Sequence, residues 1–195
     1  MISIITRHHH ELSAALEDDL GRYRYEVFIQ QLGWQLDSTH AAPQREFDQF
    51  DQADTRHILA LNAKRQVCGC ARLLPTTQPY LLSEVFGFLC DQPSPRSSDT
   101  WEVSRFAARA LEQGTLPMRV WWNSLHHAWS QGADRVVAVT TPALERYFLK
   151  NGVQLSRLGS PQRVNKDHVV ALSFPAWQKN GRHALGAESA VLTSA

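Results

Sequence analysis

No apolar run in these 195 residues approaches the roughly 18 needed to cross a bilayer as a helix. The opening Met-Ile-Ser-Ile-Ile-Thr lacks the basic start and long apolar stretch of a signal peptide. A cytoplasmic chain with no membrane partner is the expectation. Excess charge is missing too. Twenty Lys and Arg stand against 19 Asp and Glu, a formal charge of +1, which argues against nucleic acid and leaves any charged partner to a local patch. Cysteine is scarce: Cys68, Cys70 and Cys90 are an odd set that fits reduced thiols, and Cys68-x-Cys70 has no second pair to complete a zinc site. His8-His9-His10 cannot all face one ion, so the three read as a solvated turn, and no metal is expected. With no internal repeat and no low-complexity block, one domain over 1–180 is expected, followed by a frayed tail over 181–195.

What is present is periodicity. Leu12, Leu16, Leu20, Tyr23 and Val27 recur at helical spacing, which predicts an amphipathic helix over 11–31 behind a short strand at 2–6. Pattern is lost from 36 to 54, where polar residues dominate; a loop of that length is commonly functional or disordered, and whether it orders without ligand stays open. Strands are predicted at 56–62 and 67–75 around an Ala63–Gln66 hairpin, then a short helix at 80–89 and a strand at 101–107. A helix to about 131, a strand at 135–141, a helix at 142–151 stopped by Gly152, and strands at 154–158 and 168–174 complete the series. Strands alternating with helices imply an α/β, three-layer αβα sandwich on a mixed central sheet.

Four segments stand out: Arg24-x3-Phe28-x5-Trp34, Glu46-Phe47-Asp48-Gln49-Phe50-Asp51, Gly69-Cys70-Ala71-Arg72-Leu73-Leu74-Pro75 and Trp101-Glu102-Val103-Ser104-Arg105-Phe106. In this combination and order they resemble the acyl-homoserine-lactone synthases, the autoinducer synthases of bacterial quorum sensing. Arg-Leu-Leu-Pro-Thr-Thr, Tyr-Leu-Leu and Glu-Arg-Tyr-Phe look most like members that make short-chain products such as the butanoyl lactone. The resemblance implies a fold related to the N-acetyltransferases. It also implies acyl transfer from an acyl-carrier protein to the amine of S-adenosylmethionine, then lactone closure with release of methylthioadenosine. Both reactants are substrates, and no cofactor is expected.

That ligand carries a sulfonium, an ammonium, a carboxylate and an adenine, so its site calls for acids, a base and aromatic surface. The resemblance assigns this role to Arg24, Phe28, Trp34, Asp48, Asp51, Arg72 and Phe106. The amine must lose a proton before it attacks a thioester, and Glu102 is the candidate base. Ser104 is the candidate oxyanion donor, with Arg105 beside it. Strict strand alternation would put Val103 and Arg105 opposite Glu102, Ser104 and Phe106, so these residues share a cavity only where the strand twists or bulges. For the acyl chain the resemblance points to Val103, Trp122, Leu125, Ala138, Thr140, Thr141, Leu144 and Phe148, with Trp129 on the same helix. Ala138 stands where 3-oxo producers often carry Thr, so an unsubstituted chain is expected, and bulky Trp122 and Phe148 favour a short to medium one. Arg146, Lys150, Arg157, Arg163 and Lys166 are candidates for the patch that meets an acidic carrier protein.

Plainer readings stand beside these. The arginines and aspartates could form an ion-pair scaffold pinning the long loop. Glu102 could be a hydrogen-bonded structural carboxylate, Phe28 and the tryptophans core, and the basic cluster a solvated face. A second enzyme reading is an acetyl-CoA-dependent N-acetyltransferase, although no Gly-rich pyrophosphate loop follows 101–107. A DNA- or ligand-binding module would need a helix-turn-helix or a basic stripe, and neither is apparent.

Overall fold

A computed structural model describes residues 2–34, 44–109 and 115–178. The expected tail and residues 36–43 of the expected loop lie outside them. The chain groups into two compact units, Met1–Leu74 with Arg105–Val120, and Pro75–Ser104 with Trp121–Ala195. Among the described residues no helix is long and apolar enough to cross a membrane.

In the first unit, β1 (Ser3–His8), β2 (Arg56–Leu61) and β3 (Val67–Pro75) pair antiparallel in that order. The β2–β3 hairpin closes where the Asn62 side-chain carbonyl accepts the amides of Lys64 (2.9 Å) and Gln66 (3.0 Å). Arg65 completes the turn at φ 63°. Helix α1 (Ala14–Arg24) starts on Ser13, whose hydroxyl accepts the Leu16 amide. Its apolar stripe docks as expected: Leu12, Leu20, Tyr23 and Phe28 are buried with Leu59, Leu61, Val67 and Cys70, and Leu16 and Val27 pack at the margin. The helix does not stay α-helical to its end. Tyr25–Gln31 widens into π-helix, with the Leu32 amide reaching back to the Val27 carbonyl at 3.0 Å.

In the second unit, β4 (Thr100–Ala108) contributes Thr100–Ser104, and its last four residues belong to the first unit. Thr100–Glu102 pairs parallel with Arg135–Val137 of β5 (Arg135–Thr140), and β5 pairs antiparallel with β8 (Asp167–Pro175) along its whole length. The sheet is therefore mixed, as expected. The short α2 (Leu81–Val85) precedes β4. Helix α3 (Leu116–Ser130), whose first five residues belong to the first unit, ends at Gly132, φ 89°. Helix α4 (Pro142–Lys150) starts with Pro142 behind a Thr141 cap and stops at Gly152, φ 74°. Trp121, Phe148 and Phe174 form the aromatic centre of this core, with ring centroids 4.3 to 5.7 Å apart.

Two strand expectations change. The predicted strand at 154–158 shrinks to β6 (Ser156–Arg157), and an additional strand, β7 (Gln162–Val164), makes a hairpin with β8.

Candidate active site

The first unit gathers a closed ionic network. The Arg24 guanidinium donates to Glu46 at 2.6 Å and, through two nitrogens, to both Asp51 oxygens at 2.8 and 3.0 Å. Arg72 donates to both oxygens of Asp48 and to Asp51 (3.0 Å). Arg105 donates to Glu46 (3.0 Å) and Asp48 (2.6 Å). Three cations thus meet three carboxylates, almost wholly out of water; Asp48 keeps the most exposure, at 10%. Burial alone would weaken each charge, but the paired opposite charges outweigh it at most positions. Burial raises the Asp51 and Glu46 pKa values, yet the adjacent arginines bring both below the usual carboxylate range, Asp51 well below. Arg24 and Arg72 are raised by their carboxylates against the same burial, whereas burial and then the Arg72 charge lower Arg105.

The network fixes residues 44–54 on the sheet, because Glu46, Asp48 and Asp51 all come from that segment. Asp48 also accepts the Phe50 amide (2.9 Å), and Asp51 accepts the Asp48 amide (2.9 Å). Rings cover the guanidiniums: Phe47 lies over Arg24, Phe50 over Arg72 and Phe28 over Arg105, at 5.2 to 5.8 Å. The π-helical turn has a consequence here. The Trp34 amide returns to the Phe28 carbonyl at 2.9 Å, and the Trp34 ring stacks on Phe28 with centroids 4.9 Å apart and planes at 20°. Phe28 is buried, and Trp34 is 37% exposed.

Strand β4 departs from strict alternation. Arg105 has φ 50°, a left-handed conformation that costs a non-glycine residue about 1–2 kcal/mol. It is held by the Glu46 and Asp48 contacts and by the Cys70 thiol donating to its carbonyl at 3.2 Å. Glu102, Val103, Ser104 and Arg105 are all buried, and Phe106 is half-buried.

Glu102 belongs to the second unit, and its two oxygens accept the backbone amides of Leu81 (3.1 Å) and Leu82 (2.7 Å) at the start of α2. The acyl-side candidates lie in this unit as well. Trp122, Leu125, Ala138 and Phe148 are buried, while Thr140, Thr141 and Leu144 are half-buried. The Thr141 hydroxyl is engaged in capping α4, accepting the Leu144 amide at 3.3 Å. Trp129 is 45% exposed and does not join the core. Of the basic candidates, Arg146, Lys150, Arg163 and Lys166 are exposed. Arg157 is also exposed, but its guanidinium makes a two-bond pair with Glu145 (2.7 and 2.8 Å), so its charge is locally neutralised.

Two participants escaped the sequence reading. Glu46 lies within a segment already singled out, two residues before Asp48, and bridges Arg24 to Arg105. His57, on β2, places Nε2 3.1 Å from Nδ1 of His9 and 4.0 Å from Asp51. Burial, reinforced by Arg24, His9 and Arg72 against the pull of Asp51, pushes its pKa down to about 3. A histidine in the unfolded chain titrates near 6.5. Between those values the unfolded chain binds a proton that the folded chain does not, so stability falls as pH falls. At pH 5 the loss relative to pH 7.5 is about 2 kcal/mol. The carboxylates add to it only below about pH 5, where they begin to protonate in the unfolded chain. Urea unfolding at both pH values should show that extra loss in the parent and not in His57→Gln; equal losses would refute a buried neutral imidazole.

The chain is an α/β protein with a mixed sheet and a buried ionic and aromatic constellation. The autoinducer synthase family matches residues 8–184. An acyl-homoserine-lactone synthase of Pseudomonas aeruginosa is 50% identical over 185 residues, which is 95% of this chain and 92% of that protein. The crystal structure of TofI in a ternary complex with an inhibitor and MTA is 40% identical with a TM-score of 0.82, covering 94% of this chain and 96% of that one. A CoA-dependent acyl-homoserine-lactone synthase, BjaI, solved with SAM and isopentyl-CoA, is 26% identical with a TM-score of 0.84, over 94% of this chain and 88% of that one. An acyl-CoA N-acyltransferase from Pseudomonas aeruginosa, at 17% identity and a TM-score of 0.65 over 89% of this chain and 99% of that one, shares the fold alone. The chain belongs to the autoinducer synthase family. It is an acyl-homoserine-lactone synthase, a transferase of quorum sensing on a fold related to the N-acetyltransferases.

Proposed function

We propose that this synthase transfers a short to medium, unsubstituted acyl chain from an acyl-carrier protein to S-adenosylmethionine. The amine nitrogen attacks the thioester carbonyl and the carrier thiolate leaves. The substrate carboxylate then attacks its own γ-carbon, the carbon–sulfur bond breaks, and methylthioadenosine departs. Proximity favours the second step, since nucleophile and sulfonium lie in one molecule.

For S-adenosylmethionine, the reading rests on Arg24, Asp48, Asp51, Arg72 and Arg105 with the Phe28–Trp34 stack. The MTA bound to TofI and the SAM bound to BjaI support it. Most of those charges satisfy one another, so in this reading the arginines and Asp51 position the site. Asp48, the network member with residual exposure, and Trp34 meet the ligand. Glu102 takes the amine proton, directly or through water, Ser104 supports the oxyanion, and Phe106 completes the aromatic wall.

Ala138 carries the acyl assignment. Buried on β5 opposite Leu172, it offers no hydroxyl to reward a 3-oxo group. Trp122 and Phe148 occupy volume that a long chain would need, with Val103, Leu125, Thr140, Thr141 and Leu144 as the remaining lining. Exposed Arg146, Lys150, Arg163 and Lys166 suit an acidic carrier protein. An acyl-CoA donor is the second reading, favoured by the likeness to BjaI.

Purified enzyme supplied with S-adenosylmethionine and matched carrier-protein or CoA thioesters of several lengths, with and without a 3-oxo group, tests all three points. The expected lactones, resolved by mass spectrometry, are unsubstituted and short to medium, and carrier-protein thioesters are preferred. A dominant 3-oxo product would defeat the Ala138 argument, and a preference for CoA would replace the donor.

A further inference from the structure

His8, His9 and His10 have no part in the proposed reaction, and they are not equivalent. β1 ends at His8, and a single turn, His9–Glu11, follows. His9 turns toward His57 and the edge of Phe47. His8 and His10 come together instead, with ring centroids 5.3 Å apart, against the segment that carries Asp54. His8 Nδ1 is 3.3 Å from the Asp54 carbonyl, and His10 Nδ1 is 2.7 Å from the Ala53 carbonyl and 3.9 Å from the Asp54 carboxylate. Two backbone bonds pre-set this approach, His9 N–H to Thr55 (2.8 Å) and His10 N–H to Ala53 (3.1 Å).

One ligand atom from each of His8, His10 and Asp54 lies within 4.8 Å of the other two. Around a tetrahedral ion such atoms sit roughly 3.3 Å apart, a closure that rotation of exposed side chains can supply. Two imidazoles and a carboxylate suit zinc and its transition-metal neighbours better than calcium or magnesium, which prefer oxygen alone. His9, Asp51 and His57 also bring one ligand atom each within 4.8 Å of one another. There the carboxylate already serves Arg24 and Arg72, and a dication would face two buried guanidiniums. Electrostatics therefore separates the two clusters.

We propose that His8, His10 and Asp54 form a surface site for a divalent transition-metal ion, zinc in the first instance. Its occupation clips the segment that supplies Asp48 and Asp51 to the end of β1. Water completes the coordination, because the Asp54 side chain is 93% exposed.

Tag-free, full-length protein titrated calorimetrically with Zn2+ is expected to bind a single equivalent and to melt at a higher temperature when zinc is saturating. His8→Ala and His10→Ala should each weaken binding at least about tenfold and remove the thermal shift. Asp54→Ala should do the same from the facing segment without touching either histidine. His168→Ala, at another exposed histidine, should change neither. The site is overturned by an absence of saturable binding below about 1 mM Zn2+, by binding that survives both histidine substitutions, or by an equal loss in His168→Ala.

Discussion

Asp51→Asn is expected to lower the unfolding free energy by about 3–5 kcal/mol, because it removes one charge from a buried network and keeps the volume. The carboxylate receives four contacts, from two nitrogens of Arg24, one of Arg72 and the Asp48 amide. An asparagine can accept from part of this set, but its own NH2 must point at a donor, and two guanidiniums would share too little negative charge. For a chain of this length the loss corresponds to a drop of about 10 °C in melting temperature. The comparison that isolates burial is Glu26→Gln. Glu26 pairs with Arg109 at 2.6 Å at the surface, 41% exposed, and its loss should cost under about 1 kcal/mol. A neutral double replacement, Arg24→Met with Asp51→Leu, should be less destabilising than the sum of its parts, since it removes a cation and an anion together. Equal effects of Asp51→Asn and Glu26→Gln in urea would mean that the network does not hold segment 44–54.

That network shows what can be read from the chain. The stripe Leu12, Leu16, Leu20, Tyr23 and Val27 is legible because one helical period records one face, and each of those side chains is buried in the core or packs against it. Arg24, Asp48, Asp51, Arg72 and Arg105 were recoverable from family-like segments, but no periodicity says that five residues from separate stretches interlock. Glu46 was overlooked for that reason. The signal for His57 was a polar residue interrupting Ile58-Leu59-Ala60-Leu61 at its start, a pattern more often produced by a satisfied buried histidine than by a solvated one. The π-helical turn at Tyr25–Gln31 left no mark, because its residues are ordinary helix formers and the extra residue per turn answers to packing. β7 did leave one: Asn165, at φ 54°, and Lys166 make the two-residue turn between paired Val164 and Asp167. Its Gln-Arg-Val sequence lacks the apolar alternation by which strands are recognised. For Arg157, adjacency to other basic residues hides a local partner, since Glu145 lies on the preceding helix, 12 residues earlier.

Glu102→Gln is expected to cut lactone formation by about two orders of magnitude or more if the carboxylate takes the amine proton. The same substitution has a second effect. A carboxylate can accept both the Leu81 and Leu82 amides, whereas a carboxamide offers one oxygen and sets an N–H against the other amide. An unsatisfied buried donor costs about 1–3 kcal/mol, so the variant should also melt lower, with α2 as the loosened element. Activity alone therefore does not separate base from cap, but pH does. A free α-amine titrates near 8, so above that value the substrate increasingly arrives without the proton that Glu102 would remove. A base-deficient enzyme should recover relative to the parent as pH is raised from 7 to 9, while a displaced α2 would leave the deficit constant. Near-normal turnover with a lowered melting temperature would make Glu102 a cap for α2 alone. Proton removal would then fall to another acceptor, and Asp48 is the candidate, as the network carboxylate with the most residual exposure.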